Sequence, residues 1–427
     1  MRALLTAVCL LLAACATRPA EPKADPLNPA AEAYVKLVLA IGELEPGYVD
    51  AYYGPQAWAD AAKANKRSAP QLKAEADRIL AEVEAVSPAG LDPLEARRRA
   101  YLIAHLKAAR FRLDMIEGVR KPFQDEAQAL FGVRPPVKPL SAYDPVLARV
   151  EALVPGSGPL AERVDAFKSR YVIPADRLDA VMRAAIAECR KRTLAHIALP
   201  AGESFTLEFV TGKSWSGYNW YKGDAHSLIQ VNTDLPIFVD RAVDLGCHEG
   251  YPGHHTYNAL LEERLTKGRG WVEFSVYPLY SPQSFIAEGS GNYGIDLAFP
   301  GEQRTRFEAD ALYPLAGLDP KTAEAYAALR DAMRELDGAR TTIAAMYLDG
   351  QIDRETAIAL TRKYNLMSRA RAEQRVSFTD GYRSYVINYG LGQDMVRAHV
   401  EKAGPDQSAR WKAMETLLSD PALPSEL

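Results

Sequence analysis

Apolar residues recur at three- and four-residue steps through most of the chain. Leu72, Ala76, Ile79, Leu80, Val83 and Val86 form one stripe; Tyr101, His105, Leu106, Ala109, Leu113 and Ile116 a second; Leu178, Val181, Met182, Ala185 and Cys189 a third. Each predicts an amphipathic helix with one buried face. The second has a legible start, Asp92-Pro93-Leu94-Glu95: a capping Asp, Pro at the first helical position and an acid in the first turn. His105 and Cys189 sit on apolar stripes and read as packed core residues. Pro135-Pro136 and the run Pro155-Gly156-Ser157-Gly158-Pro159 read as loops. The pattern changes after Pro200. Phe205 to Val210 alternates with a period of two, as a half-buried strand does. Thr211 to His226 reads as a loop rich in Gly, Trp and Tyr, and Ser227 to Asn232 as a second strand. Asp234 is placed to cap a long helix starting near Pro236. The helical period returns after residue 300 and holds to about Ala403. The chain therefore predicts a mostly α-helical protein with a minor β element. A helical region covers 30–200 and a second region, with the strands, covers 201–427.

Composition narrows the class. With 48% hydrophobic and 25% charged residues among 427, the chain is neither disordered nor collagen-like. No internal repeat is evident, and no pattern specifies an oligomer. Lys plus Arg number 51 against 55 Asp plus Glu, a net charge of −4, so a basic surface for nucleic acid is not expected. No apolar run is long enough to span a bilayer as a helix, and 4 cysteines are too few for a disulfide scaffold. The start differs from the rest. Met1-Arg2 is basic and 3–14 is apolar, the layout of a secretory signal over residues 1–14. Leu12-Ala13-Ala14-Cys15 resembles the lipobox of bacterial lipoproteins. That resemblance implies cleavage before Cys15 and lipidation of its sulfur and amine, with enough acyl chain for stable membrane attachment. Residues 16–29, rich in Pro, Ala and charge, read with Cys15 as a flexible tether over 15–29. Ala16, rather than Asp, follows the cysteine, which by resemblance to lipoprotein sorting implies an outer-membrane anchor facing the periplasm.

Three of the 7 histidines fall in one short segment, Cys247-His248-Glu249-Gly250-Tyr251-Pro252-Gly253-His254-His255. A His-Glu pair followed by another His suggests a zinc hydrolase, in which two imidazoles hold the ion and the Glu accepts a proton from water. The spacing is unusual. On a straight helix the partner of His248 would be Pro252, one turn on, while His254 is turned about 240° away. Pro252 opens a way out, because its missing N–H and its ring both fall on the carbonyl of His248. A kink or bulge there, eased by Gly253, carries His254 to the place of the missing partner; His255 is the alternative ligand. Glu288, with buried-type neighbours Ile286 and Ala287, is the natural third ligand, with water in the fourth position and Asn292 as its support. Farther on, Tyr382, Arg383, Tyr385 and Tyr389 are candidates to stabilise the oxyanion of a tetrahedral intermediate. Cys247 as a nucleophile with a neighbouring His as base is a second, metal-free reading. A third is a lipid-anchored binding protein with a vestigial site.

The box H-E-G-Y-P-G-H-H resembles that of a large bacterial family, domain-of-unknown-function family 885, grouped with the zincin metallopeptidases. It is also similar to the H-E-x-G-H box of helical oligopeptidases and Taq-type carboxypeptidases. Aligning the trailing Gly-His pairs favours His254 over His255. The family's second box, E-G-W-A-x-Y, matches Glu288, Gly289 and Tyr293 but not its Trp, where this chain has Ser290; a Tyr-bearing box lies near the family's end. The resemblance covers roughly residues 200–400. It implies a gluzincin-like helical architecture, zinc on His248, His254 and Glu288, Glu249 as general base, and peptide substrates.

Overall fold

The computed structural model describes residues 25–213 and 215–427. Cys15 and the signal segment lie outside the described residues. The fold is predominantly α-helical, with five short strands among the described residues. Its first helix, Asn28–Leu44, starts inside the stretch read as tether. Just before it, Asp25 pairs with Arg98, a fully buried guanidinium that also grips Glu273; two carboxylates around one arginine make that burial tolerable.

The apolar stripes meet as their spacing predicts. Leu72, Ala76, Ile79 and Val83 of the helix Ala69–Ala85 join Leu102, Leu106, Ala109 and Leu113 of the helix Pro93–Ile116 in one core. The start of the second helix is closed on both sides. Asp92 accepts from the N–H groups of Leu94 and Glu95 at 2.8 Å each, and Glu95 accepts from the Asp92 N–H at 2.9 Å. His105 is packed, its Nδ1 2.9 Å from the Tyr101 carbonyl. This core runs on to Phe285, Tyr385, Val386 and Ile387, so the N-terminal helices form a back wall for later elements that face the cleft. A second core gathers the stripe Leu178–Cys189 with Val239, Val243, Cys247 and Tyr251.

The strands fall in two sheets. β1 (Val49–Tyr52) pairs antiparallel with β5 (Val276–Pro278). β2 (Ser204–Val210), β3 (Gly217–Gly223) and β4 (His226–Asn232) form the other, in the order β2-β4-β3, with β2 parallel and β3 antiparallel to β4. Two expectations are corrected here. The segment 211–226 holds a strand as well as a loop: β3 and β4 are joined at Asp224-Ala225, both with positive φ (51° and 52°), a turn whose twist suits a hairpin. And Asp234 does not cap a helix. Its carboxylate takes the N–H groups of Gly212 and Lys213, while the next helix is the short Val239–Leu245. Helix also continues past Ala403, as Gln407–Ser419. No helix among the described residues is long and apolar enough to cross a membrane.

Cys189 and Cys247 form a disulfide, which ties the helix Leu178–Leu194 to the turn that carries His248. This corrects the reading of Cys247 as a nucleophile, since a disulfide sulfur carries no thiolate to attack with. The bond closes a separation of 58 residues, for which chain entropy gives about 4 kcal/mol. Changing both cysteines to Ala is expected to lower unfolding free energy by about 2–4 kcal/mol in denaturant titration. The unreduced native protein is expected to give no thiol titre from Cys189 or Cys247.

Candidate metal centre

The helix Val239–Leu245 widens into a π-type turn over Gly246–Gly250, breaks at Tyr251–Gly253, and resumes as His254–Leu261. The chain therefore breaks and restarts, rather than bulging within one continuous helix. Gly253 is essential to this path. A Cβ there would lie 1.8 Å from the His248 carbonyl oxygen and 2.5 Å from that of Cys247. The detour brings the two imidazoles together, with His248 Nε2 and His254 Nε2 3.1 Å apart.

Glu288 meets them from the helix Pro282–Ala298. Its Oε2 is 3.0 Å from His248 Nε2 and 3.8 Å from His254 Nε2. This oxygen is buried, yet it makes no hydrogen bond. Three lone-pair atoms thus converge on one point without satisfying one another. For metal–ligand bonds of about 2.0–2.1 Å, a tetrahedral site has edges of about 3.3 Å, and the three observed separations bracket that figure. Two imidazole nitrogens and a carboxylate oxygen are a donor set suited to zinc. The surroundings orient the donors. His248 Nδ1 lies 3.0 Å from Asn292 Oδ1, an acceptor, so Nδ1 carries the hydrogen and Nε2 presents its lone pair. Glu288 Oε1 accepts from the Tyr385 hydroxyl at 2.7 Å. Gly291 lets the His248 ring lie against the helix, where a Cβ would come within 2.9 Å of Nδ1. Gly289 lets the same helix touch Gly392, whose backbone would be 2.6 Å from a Cβ.

Electrostatics favour a positive charge at this point. Burial opposes protonation of His248, but the carboxylates of Glu288 and Glu249 outweigh it and hold its pKa up at about 9. His254 is pushed down to about 4 by burial and by the charge on His248. Burial would raise Glu288, but its histidine neighbours hold it below the usual carboxylate range.

Glu249 stands beside this point. It offers a carboxylate oxygen within 4.8 Å of ligand atoms of His248 and His254. Burial raises its pKa to about 7, and its main-chain carbonyl is held by Asn219 Nδ2 at 2.6 Å. Gly217 of β3 makes room for it, since a Cβ would be 2.9 Å from Glu249 Oε1. The centre opens on a cavity of about 510 Å³. Here β3, not β4, borders the cleft: Gly217, Tyr218 and Asn219 line it, while β4 lies in the middle of its sheet. The strand Ser227–Asn232, read from the sequence as the second of two strands, thus lies behind the cleft edge rather than on it.

The other predicted residues separate. His255 is turned away from the triad and fully buried, with Nδ1 2.8 Å from Ser227 Oγ and Nε2 3.0 Å from Glu203 Oε2. Glu203 also binds the Tyr251 hydroxyl and, at 2.7 Å, Arg190 Nε. This network fastens the break in the helix to the sheet. Sequence reasoning missed it, because Glu203 precedes His255 by 52 residues with no shared motif. Arg383 does not reach the cavity; its Nε is held by buried Glu126 at 2.8 Å. The Tyr385 hydroxyl is occupied by Glu288. Tyr382 and Tyr389 line the cavity, and the Tyr389 ring stacks 6.4 Å from that of His248. Removing the hydroxyl on Glu288 by Tyr385→Phe is expected to weaken zinc binding about 10–100-fold in competition with a chelating dye.

Neither a protein-family model nor a curated protein sequence matches the chain. Among solved structures, the fold is similar to that of a candidate lipoprotein from Colwellia psychrerythraea, at 15% identity over 86% of this chain and 67% of that one, with a TM-score of 0.51. A candidate lipoprotein of unknown function from Shewanella oneidensis aligns at 14% identity over 84% of this chain and 75% of that one, TM-score 0.45. An M32 carboxypeptidase from Deinococcus radiodurans R1 aligns at 14% identity over 91% and 88%, TM-score 0.35. The first of these likenesses is one of overall fold.

Proposed function

We propose that this chain is a zinc-dependent hydrolase of peptide bonds, held in the bacterial cell envelope by lipid on Cys15. The observation that carries the proposal is the convergence of His248 Nε2, His254 Nε2 and Glu288 Oε2, with the free carboxylate of Glu249 alongside. Zinc bound there would act as a Lewis acid, activating water and polarising the scissile carbonyl. The chain's own groups do the rest. Glu249, with its pKa near 7, accepts the proton of the attacking water and delivers it to the departing amine. Tyr389 and Tyr382, whose rings line the cavity, are the hydroxyl donors placed for the developing oxyanion. Asn292 and Tyr385 orient His248 and Glu288. The Cys189–Cys247 disulfide suits an oxidising compartment. The likeness of the H-E-G-Y-P-G-H-H box to the zincin families and the lipoprotein descriptions of the similar folds support the same reading; outer-membrane sorting belongs to it too.

The test is a mixed peptide library incubated with the purified protein, with and without a chelator. The proposal predicts cleavage that the chelator abolishes and added zinc restores. Cleavage indifferent to chelation would remove the metal chemistry; a protein that binds zinc but cleaves nothing would return it to the class of binding proteins.

A further inference from the structure

Most arginines around the cavity are neutralised. Arg241 and Arg304 hold Asp244, Arg330 holds Glu308, and Arg334 holds Asp296. Arg340 and Arg375 differ. Both line the same cavity, and neither forms a hydrogen bond or an ion pair among the described residues; Arg340 Nε is buried without a partner. They come from two helices, Asp337–Leu348 and Arg369–Tyr382, and on the second helix Arg371, Arg375, Phe378 and Tyr382 turn one face to the cavity at helical spacing. Asp337 is close enough to act on both electrostatically but forms an ion pair with neither. The charge of Arg340, together with burial, lowers Arg375 to about 9. Two guanidiniums held in a cavity wall without a hydrogen bond or ion pair are costly to the fold, and a cost of that kind concentrates at functional sites.

Tyr389 relates Arg340 to the metal centre. Its ring stacks 6.4 Å from the His248 ring and lies 5.0 Å from Arg340 Cζ. One aromatic ring therefore bridges a candidate ligand and a bare guanidinium. An extended peptide advances about 3.3–3.6 Å per residue, so a carboxylate one to three residues from the scissile bond spans that gap.

We infer that Arg340 and Arg375 form an anion subsite that binds a carboxylate of the substrate, its free C terminus or an acidic side chain, within a few residues of the bond cleaved. The inference rests on the peptidase reading only in assigning that carboxylate to a peptide. Guanidinium forks suit a carboxylate in bidentate geometry, and Tyr389 closes the subsite against the metal centre.

Binding to chelator-treated protein separates the subsite from turnover. Three peptides of one sequence are compared by isothermal titration calorimetry: a free C-terminal acid, the C-terminal amide, and the amide with Glu in place of its penultimate residue. The wild type is expected to bind the acid, or the Glu-bearing amide, about 10–100-fold more tightly than the neutral amide, the range of a hydrogen bond to a charged group. Preference for the acid alone assigns the terminus; preference extending to the Glu-bearing amide assigns the side chain. The Arg340→Gln/Arg375→Gln double variant is expected to bind all three within about twofold and to melt no lower than wild type, because it relieves cation repulsion. Equal binding of all three peptides by the wild type would overturn the inference, as would a double variant that kept the preference. An anion preference without any peptide cleavage by the zinc-loaded enzyme would end the peptidase reading and leave the subsite standing. Cleavage without an anion preference would do the reverse.

Discussion

Glu249→Gln is expected to bind zinc as tightly as the wild type and to lose about 10²–10⁴-fold in kcat, the usual contribution of a positioned general base. Three observations lead there. The carboxylate offers an oxygen within 4.8 Å of ligand atoms of His248 and His254, beside their convergence with Glu288. Its burial raises its pKa to about 7, so it can both accept and release a proton near neutrality. Its backbone is pinned by Asn219, so the amide should sit where the acid did. Glutamine keeps the size and loses only the proton acceptor. Zinc content and kcat measured on one preparation check the outcome. Loss of zinc together with activity would make Glu249 a ligand instead, and near-normal turnover would remove it from the chemistry.

Gly253→Ala carries the second large effect. The added methyl would stand 1.8 Å from a main-chain oxygen of His248 and 2.4 Å from its carbonyl carbon. Backbone atoms cannot swing aside as a side chain can, so the turn Tyr251–Gly253 must open. Overpacking costs about 1–3 kcal/mol, occasionally more. Opening the turn also parts His248 Nε2 from His254 Nε2. Zinc affinity is therefore expected to fall at least about 100-fold, beyond the range for an orienting partner. Gly90→Ala is the control, because nothing lies within 4 Å of its added methyl. A Gly253→Ala protein that bound zinc like wild type would show that the break in the helix does not set the site.

The amphipathic helices were legible because one buried face repeats locally: the stripe from Leu72 to Val83 meets Leu106, Ala109 and Leu113 of the next stripe as the spacing requires. The His-Glu pair was legible because three histidines crowd one segment, and Pro252 announced the interruption that lets His254 turn back. Glu288 was legible from its buried-type neighbours Ile286 and Ala287 and again from the second box, and Asn292 from its place one turn later. What stayed hidden is non-local or is written in small residues. β3 passed as a loop because glycines stand at both its ends and its hairpin turn is Asp-Ala rather than Asn-Gly or Asp-Gly. Asp234 has the composition of a cap but is consumed by the turn at Gly212. Cys247 looked free because its partner is 58 residues away. Arg383 looked as good an oxyanion donor as Tyr389 until Glu126 was seen to hold it. Arg340 and Arg375 stand out only because the other cavity arginines are held by carboxylates or, for Arg371, by the Pro236 carbonyl.

The central claim, that His248, His254 and Glu288 hold one zinc ion, is tested most directly by anomalous diffraction at the zinc edge from crystals of protein purified without added metal. The account predicts one peak, about 2.0–2.2 Å from His248 Nε2, His254 Nε2 and an oxygen of Glu288, with His255 still on Ser227 and Glu203. A peak ligated by His255, or no peak between His248 and His254 even after soaking in zinc, would contradict it.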